Sequence, residues 1–257
     1  MDIYVTSATD IGIKRKVNQD SYFVRRILLG GETLAFAVLC DGMGGLTQGE
    51  VASQKVVEAY SDWMYSKEGL QALIRQGLSD FAVRDQWTRI LDRVNQELVQ
   101  YGHETNSSLG TTITMMLLTK SRFYAMNVGD SRIYQLGTES RQLTLDHSYV
   151  SEQVREGLMT EEEAESSPKR NYLTRCVGVR EEVSPDFYFG NPMQDTTYLL
   201  CSDGFRHVVT KDEMRDALWT RTRENLAERQ QYLDELVRLN MDRGETDNIT
   251  AIALYVL

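Results

Sequence analysis

The spacing of apolar residues changes several times along this chain, and each change predicts an element. Ala35–Cys40 is six apolar residues in a row that run straight into Asp41 and then into glycines. Such a run reads as a buried strand, here one that stops on a carboxylate. Runs rich in Val, Ile, Thr, Tyr and Phe predict further strands, so that the full set is 2–9, 21–28, 33–40, 110–119, 122–128, 131–136, 184–190, 195–202 and 248–256. Residues 122–136 read as a hairpin that turns at Asn127-Val-Gly-Asp130.

Between the strand groups the period lengthens. Helices are predicted at 49–65, at 86–103 with Trp87, Ile90, Leu91, Val94, Leu98 and Tyr101 on one face, and at 225–243 with Leu226, Leu233, Leu236, Val237 and Met241. These stripes read as faces packed on a sheet. The polar segment 146–180 contains Thr160-Glu-Glu-Glu-Ala164, a capping-box helix start, and reads as a small helical excursion over the surface. Strands come in runs rather than alternating with helices. That pattern predicts an α+β fold of two antiparallel sheets flanked by helices. No low-complexity linker or strong internal period divides the chain, and with 3 prolines the expectation is one domain over residues 1–257.

Composition narrows the partners. A net charge of −10 argues against nucleic acid or an anionic membrane. No apolar run approaches the roughly 18 residues of a membrane span, and the first residues, MDIYVTSATD, lack the basic and apolar regions of a signal peptide. Cys40, Cys176 and Cys201 are an odd number without metal-type spacing. Buried thiols in a reducing cytoplasm are the expectation.

Against this background four aspartates stand out. Asp20, Asp41, Asp203 and Asp247 each lie at the edge of an apolar strand, beside a turn-former or an amide. Any one alone reads as a turn residue bonded to its own backbone. Converged at one end of a sandwich, the four would repel unless cations sat between them. Oxygen ligands without a matching His or Cys set point to Mg²⁺ or Mn²⁺. A metal pair would lower the pKa of a water and hold it for in-line attack, as hydrolysis of a phosphate monoester requires. Lys14, Arg15 and Lys16 form a basic cluster in an acidic chain, readable as a solvated loop or as a phosphate clamp. Gly110-Thr-Thr112 reads as a tight strand entry. Ser131 has no adjacent His base, Cys40 and Cys201 precede acids that raise a thiol pKa, and no P-loop is present.

Arg15-Lys-Val-Asn-Gln-Asp20, Asp41-Gly-Met-Gly-Gly45, Gly110-Thr-Thr112, Val128-Gly-Asp-Ser-Arg132, Leu143-Thr-Leu-Asp-His-Ser148, Ser202-Asp-Gly204 and Asp247-Asn-Ile-Thr250 occur in that order. Together they resemble the metal-dependent type 2C serine/threonine protein phosphatases in their compact bacterial form, over essentially the whole chain. The resemblance implies a four-layer α-β-β-α sandwich that hydrolyses phosphoserine and phosphothreonine without a phosphoenzyme. It implies that Asp41 bridges two Mn²⁺ or Mg²⁺ ions, that the Gly42 carbonyl binds one, and that Asp203 and Asp247 complete the protein ligands of the other. It places Asp20 near the metals through a water, Arg15 on the substrate phosphate, and Asp130 with Asp203 at a third, weaker ion. Segment 146–180 corresponds to the variable flap beside the cleft. Substrates would be phosphoproteins made by a serine/threonine kinase, and the enzyme a cytoplasmic monomer. Met43 stands where many eukaryotic members have a His general acid, and Met has no proton to give. Leaving-group protonation then falls to a metal-bound water or another group. His147 is the nearest candidate, though its Asp-His-Ser context favours a structural role. Leu46-Thr47 lacks a His that some bacterial relatives carry. A pseudophosphatase acting as a regulatory module would show lost ligand aspartates, and none is lost here. A small phosphorylated metabolite as substrate stays open, decided by the flap.

Overall fold

The computed structural model describes residues 2–29, 31–43, 48–219 and 225–257, so Gly44, Gly45, Leu46 and Thr47 lie outside the described residues. The strands are β1 (Ile3–Asp10), β2 (Asp20–Leu29), β3 (Glu32–Met43), β4 (Gly110–Thr111), β5 (Ile113–Leu118), β6 (Phe123–Val128), β7 (Arg132–Leu136), β8 (Arg141–Gln142), β9 (Asp186–Gly190), β10 (Thr196–Cys201) and β11 (Ile249–Val256). The helices are α1 (Gly49–Tyr65), α2 (Leu70–Gln76), α3 (Asp80–Thr105), α4 (Tyr149–Arg155), α5 (Glu161–Ser166), α6 (Asp203–Arg206), α7 (Lys211–Leu218) and α8 (Leu226–Asp242). One sheet runs β1-β11-β10-β7-β8 and the other β2-β3-β5-β6-β9, with the short β4 pairing the end of β3. The strand pairings are antiparallel.

Side-chain alternation explains why β3 is apolar at every position from Leu34 to Cys40. Ala35, Ala37 and Leu39 face the other sheet, beside Ile252, Leu254 and Leu200. Phe36, Val38 and Cys40 face the helices, beside Trp63, Trp87 and Leu91. A third apolar layer joins β10 and β11 to α7 and α8 through Leu199, Tyr255, Met214 and Leu233. Three apolar layers between four structural ones leave the central strands no polar face. Phe36 is fully buried, its ring centroid 5.4 Å from Trp63 and 6.2 Å from Trp87. Phe36→Ala should therefore lower unfolding free energy by about 3–5 kcal/mol, read as a lower urea midpoint at unchanged slope.

Two expectations fail here. Residues 122–136 are not a hairpin, because β6 pairs with β5 and β9 while β7 pairs with β10 and β8 in the opposite sheet. The link is a crossover between sheets, with Gly129 at φ +111 packed so tightly on Thr112 that a Cβ would collide with its side chain. Asn127 is a buried strand residue whose Nδ2 donates to the Gly129 and Leu145 carbonyls (3.2 and 3.1 Å). Turn-forming residues mark a reversal, but the layer that receives the next strand is set by packing. Likewise 110–119 is not one strand, since the chain breaks at Thr112 to bond Asp41. Segment 146–180 carries α4 and α5, and α5 begins with the expected capping box at Thr160 and Glu163. It is not wholly a surface excursion: Asp146, His147, Ser148 and Val177 are buried.

Candidate active site

Four aspartates meet because antiparallel pairing puts strand ends and strand starts side by side. β3 runs toward Asp41 and β2 begins at Asp20, so the two residues are direct cross-strand partners. In the other sheet β10 leads into Asp203, and its neighbour β11 starts just after Asp247. β3 does not stop on its carboxylate, however. It continues through Asp41 and Gly42 to Met43, which pairs with Gly110.

The peptide of Asp41 is held on both sides. Its N–H donates to Thr112 Oγ1 (2.9 Å), and its carbonyl accepts from the Thr112 N–H and Thr111 Oγ1 (both 2.9 Å). The two threonines at the strand entry thus orient a cleft residue, a role the β-branched packing expectation missed. Gly42 lies back to back with Gly49, the Gly42 N–H donating to the Gln19 carbonyl (3.1 Å), and a Cβ there would strike both the Gly49 and Gln19 carbonyls. Asn248 holds the other wall. Its Oδ1 accepts from the Gln19 N–H (2.9 Å), and its Nδ2 donates to the Ile11 and Val17 carbonyls (2.9 and 3.2 Å). One amide therefore ties the loop that carries Arg15 to the start of β11. Glu245, also buried, accepts from the backbone N–H groups of Thr246 and Asp247 (2.7 and 2.9 Å) and fixes the approach to Asp247.

Arg15 donates through Nη2 to Asp247 Oδ2 at 2.6 Å, with nearly half of its side chain exposed at the mouth of the cleft. Asp41 and Asp203 lie near enough to act on its charge. Lys14 and Lys16 are exposed. The basic cluster thus divides into one cleft residue and two solvated ones.

Charge is crowded at the centre. Burial first, then Asp20, Asp203, Asp130 and Asp247, holds the Asp41 carboxyl well above the usual range. Burial pushes Asp20 up to about 7, with Asp203 and Asp247 adding to the rise. The Thr250 and Ser202 hydroxyls draw Asp20 back toward ionisation, yet neither of its buried oxygens has a hydrogen bond of regular geometry. Asp203 is raised by burial and by Asp247 and drawn down by Arg206. The buried Asp20 carboxyl, with both oxygens unpaired and further carboxylates close enough to act on it, fits a hard cation nearby. Among the described residues no three Asp, Glu, His or Cys side chains close tightly enough to hold an ion unaided.

Asp130, buried on the crossover between β6 and β7, acts electrostatically on Asp41 and is itself raised to about 7, first by burial and then by Asp203. The crossover is anchored by His147, which is 1% exposed and whose Nδ1 accepts the Gly129 N–H (3.2 Å) while Nε2 meets Asp186 (3.0 Å). Burial lowers its pKa. With both ring nitrogens engaged, His147 is a structural residue, as its sequence context suggests. Burial likewise pushes the Cys40 thiol far up and Cys201 to about 12, which leaves neither as a nucleophile.

A family model described as protein phosphatase 2C matches residues 13–239. The chain is 33% identical over 250 residues to the protein phosphatase PhpP of Streptococcus pneumoniae, covering 96% of this chain and 94% of that protein. Among solved structures, the serine/threonine phosphatase Stp1 from Staphylococcus aureus superposes with a TM-score of 0.85 at 28% identity, covering 100% of this chain and 96% of the other. The catalytic domain of the phosphatase PstP, solved in complex with two manganese ions, superposes with a TM-score of 0.79 at 28% identity and covers 99% and 98%.

Proposed function

The chain belongs to the protein phosphatase 2C family and is a serine/threonine protein phosphatase, and on that premise we propose that it hydrolyses phosphoprotein monoesters at a divalent metal pair held by its cleft aspartates. The observation that carries this is the convergence of Asp20, Asp41, Asp203 and Asp247, from two sheets, into one mutually repelling group with the buried Asp20 at its rear and Asp247 at its exposed edge. Such a group is unfavourable alone and becomes favourable around cations.

In this reading Asp41, on which the other cleft aspartates act, would hold the metal pair together with the Gly42 carbonyl, Asp203 and Asp247. Asp20 acts through water from the buried rear wall. When bound, the metals supply a water of lowered pKa and neutralise phosphate charge. The chain does the rest. Thr111 and Thr112 fix the Asp41 peptide so that its carboxylate does not reorient during turnover. Asn248 keeps Arg15 at the mouth, where its planar fork can orient two phosphate oxygens. Segment 146–180 serves as the flap that meets the protein substrate. The whole chain acts as one catalytic domain, a cytoplasmic monomer on substrates made by a serine/threonine kinase. Among the described residues no helix is long and apolar enough to cross a membrane.

Hydrolysis of an aryl phosphate and of a phosphothreonine peptide should require Mn²⁺ or Mg²⁺ and stop with chelator. Turnover that persists in excess chelator would refute the metal reading. Equal absence of turnover with and without metal would favour a binding module.

A further inference from the structure

We infer that the guanidinium of Arg206 takes the place of the third, weaker cation that the family resemblance implies at Asp130 and Asp203, so that this chain holds a metal pair and no third ion. The inference rests on the metal-pair reading above.

Arg206 stands three residues after Asp203 on α6, so both side chains leave the same face of that turn. Its Nη2 donates to the Asp130 backbone carbonyl at 3.0 Å and lies 3.7 Å from Asp130 Oδ2. The same nitrogen is 3.6 Å from Asp146 Oδ2. Asp146 has its own cation, however: Arg132 donates to it through Nε (2.9 and 3.1 Å) and Nη2 (2.7 Å), while Gln142 Nε2 donates to Oδ1 at 2.8 Å. Arg206 thus stands between the Asp146 and Asp130 carboxylates at nearly equal distances. With Arg132 and Gln142 already bonded to Asp146, Asp130 is the carboxylate that, among the described residues, has no other cation bonded to it.

This guanidinium has little freedom to withdraw. The Arg206, Asp130 and Asp146 side chains are 16%, 10% and 4% exposed. The preceding turn is pinned, since Phe205 is fully buried and a Cβ on Gly204 would collide with the Asn248 carbonyl. The Arg206 Nε is buried and makes no hydrogen bond, which marks a side chain placed for its charge more than for its full set of donors. Arginine keeps its proton in proteins. A dication approaching Asp130 would meet a positive charge held 3.7 Å from the carboxylate that is meant to attract it. The residues present therefore do not fit a third ion, because the position beside Asp130 is already taken by a cation of the chain itself.

Metal-free protein titrated with Mn²⁺, with bound ions counted by equilibrium dialysis and metal analysis, separates the possibilities. Wild type and Asp130→Asn should both saturate at two ions per chain. Arg206→Gln, with folding checked by circular dichroism, should take up a third, and adding Asp130→Asn to it should return the count to two. Three ions on the wild type would overturn the inference, and so would a folded Arg206→Gln protein that stops at two. If Arg206→Gln does not fold, wild type against Asp130→Asn still decides: two and two supports closure, and three falling to two refutes it. No uptake by wild type at all would instead remove the metal pair, and this inference with it.

Discussion

Asp41→Asn should reduce aryl-phosphate turnover in saturating Mn²⁺ by on the order of 10³-fold, because losing several kcal/mol of charge stabilisation at the reacting phosphate corresponds to about that factor. The same substitution should make the metal-free protein more stable. Asp41 is the carboxylate on which burial, Asp20, Asp203, Asp130 and Asp247 all act in the same unfavourable direction. A neutral amide of the same shape removes that repulsion while keeping the peptide bonds to Thr111 and Thr112. In chelator at pH 8 the variant should therefore melt above wild type, and Mn²⁺ should raise its melting temperature less. Wild-type turnover in Asp41→Asn would end the metal-pair reading. A lower metal-free melting temperature would show that Asp41 earns its place through packing instead.

Stability of the metal-free protein should fall as pH rises from about 4 to about 7, and Mn²⁺ should restore it at the upper end. Asp20 titrates near 7 in the folded chain against an ordinary 3.8. Between those values the folded state binds more protons than the unfolded one, so the slope of unfolding free energy with pH is negative. The loss is fully present above the folded value and absent below the unfolded one. Asp20 therefore lowers stability progressively across this window. Asp41 and Asp203, raised for the same reasons, act in the same direction. Melting curves in chelator at pH 5 and pH 8, repeated with Mn²⁺, provide the check. A metal-free protein that is more stable at pH 8 would mean that the aspartates are not a repelling group.

The existence of β3 and the lengths of α1 and α8 are legible because burial on both faces, or on one stripe, imposes a local period that composition displays directly. Asp41 and Asp203 are legible for a related reason, since a charge that interrupts a buried strand has few reasons to be there. The basic cluster around Arg15 reads equally well as solvent-facing until Asp247, 232 positions away in sequence, is seen beside it. α7 begins with Thr210 and Glu213 in a capping box, a signal the sequence carries, whereas α2 has only seven residues and no side-chain cap to announce it.

The sequence by itself determined most of the strands, the long helices α1 and α8, the order of the motifs and the acidic character of the candidate site, because each depends on residues close in the chain or on type alone. Tertiary structure decided the rest. It sent β7 to the opposite sheet through Gly129, turned the Thr111 and Thr112 hydroxyls onto Asp41, stretched the Asn248 amide across three backbone groups, and set Arg206 over Asp130. Each of these joins residues whose separation has no period, so packing and register fix the partners where local propensity cannot.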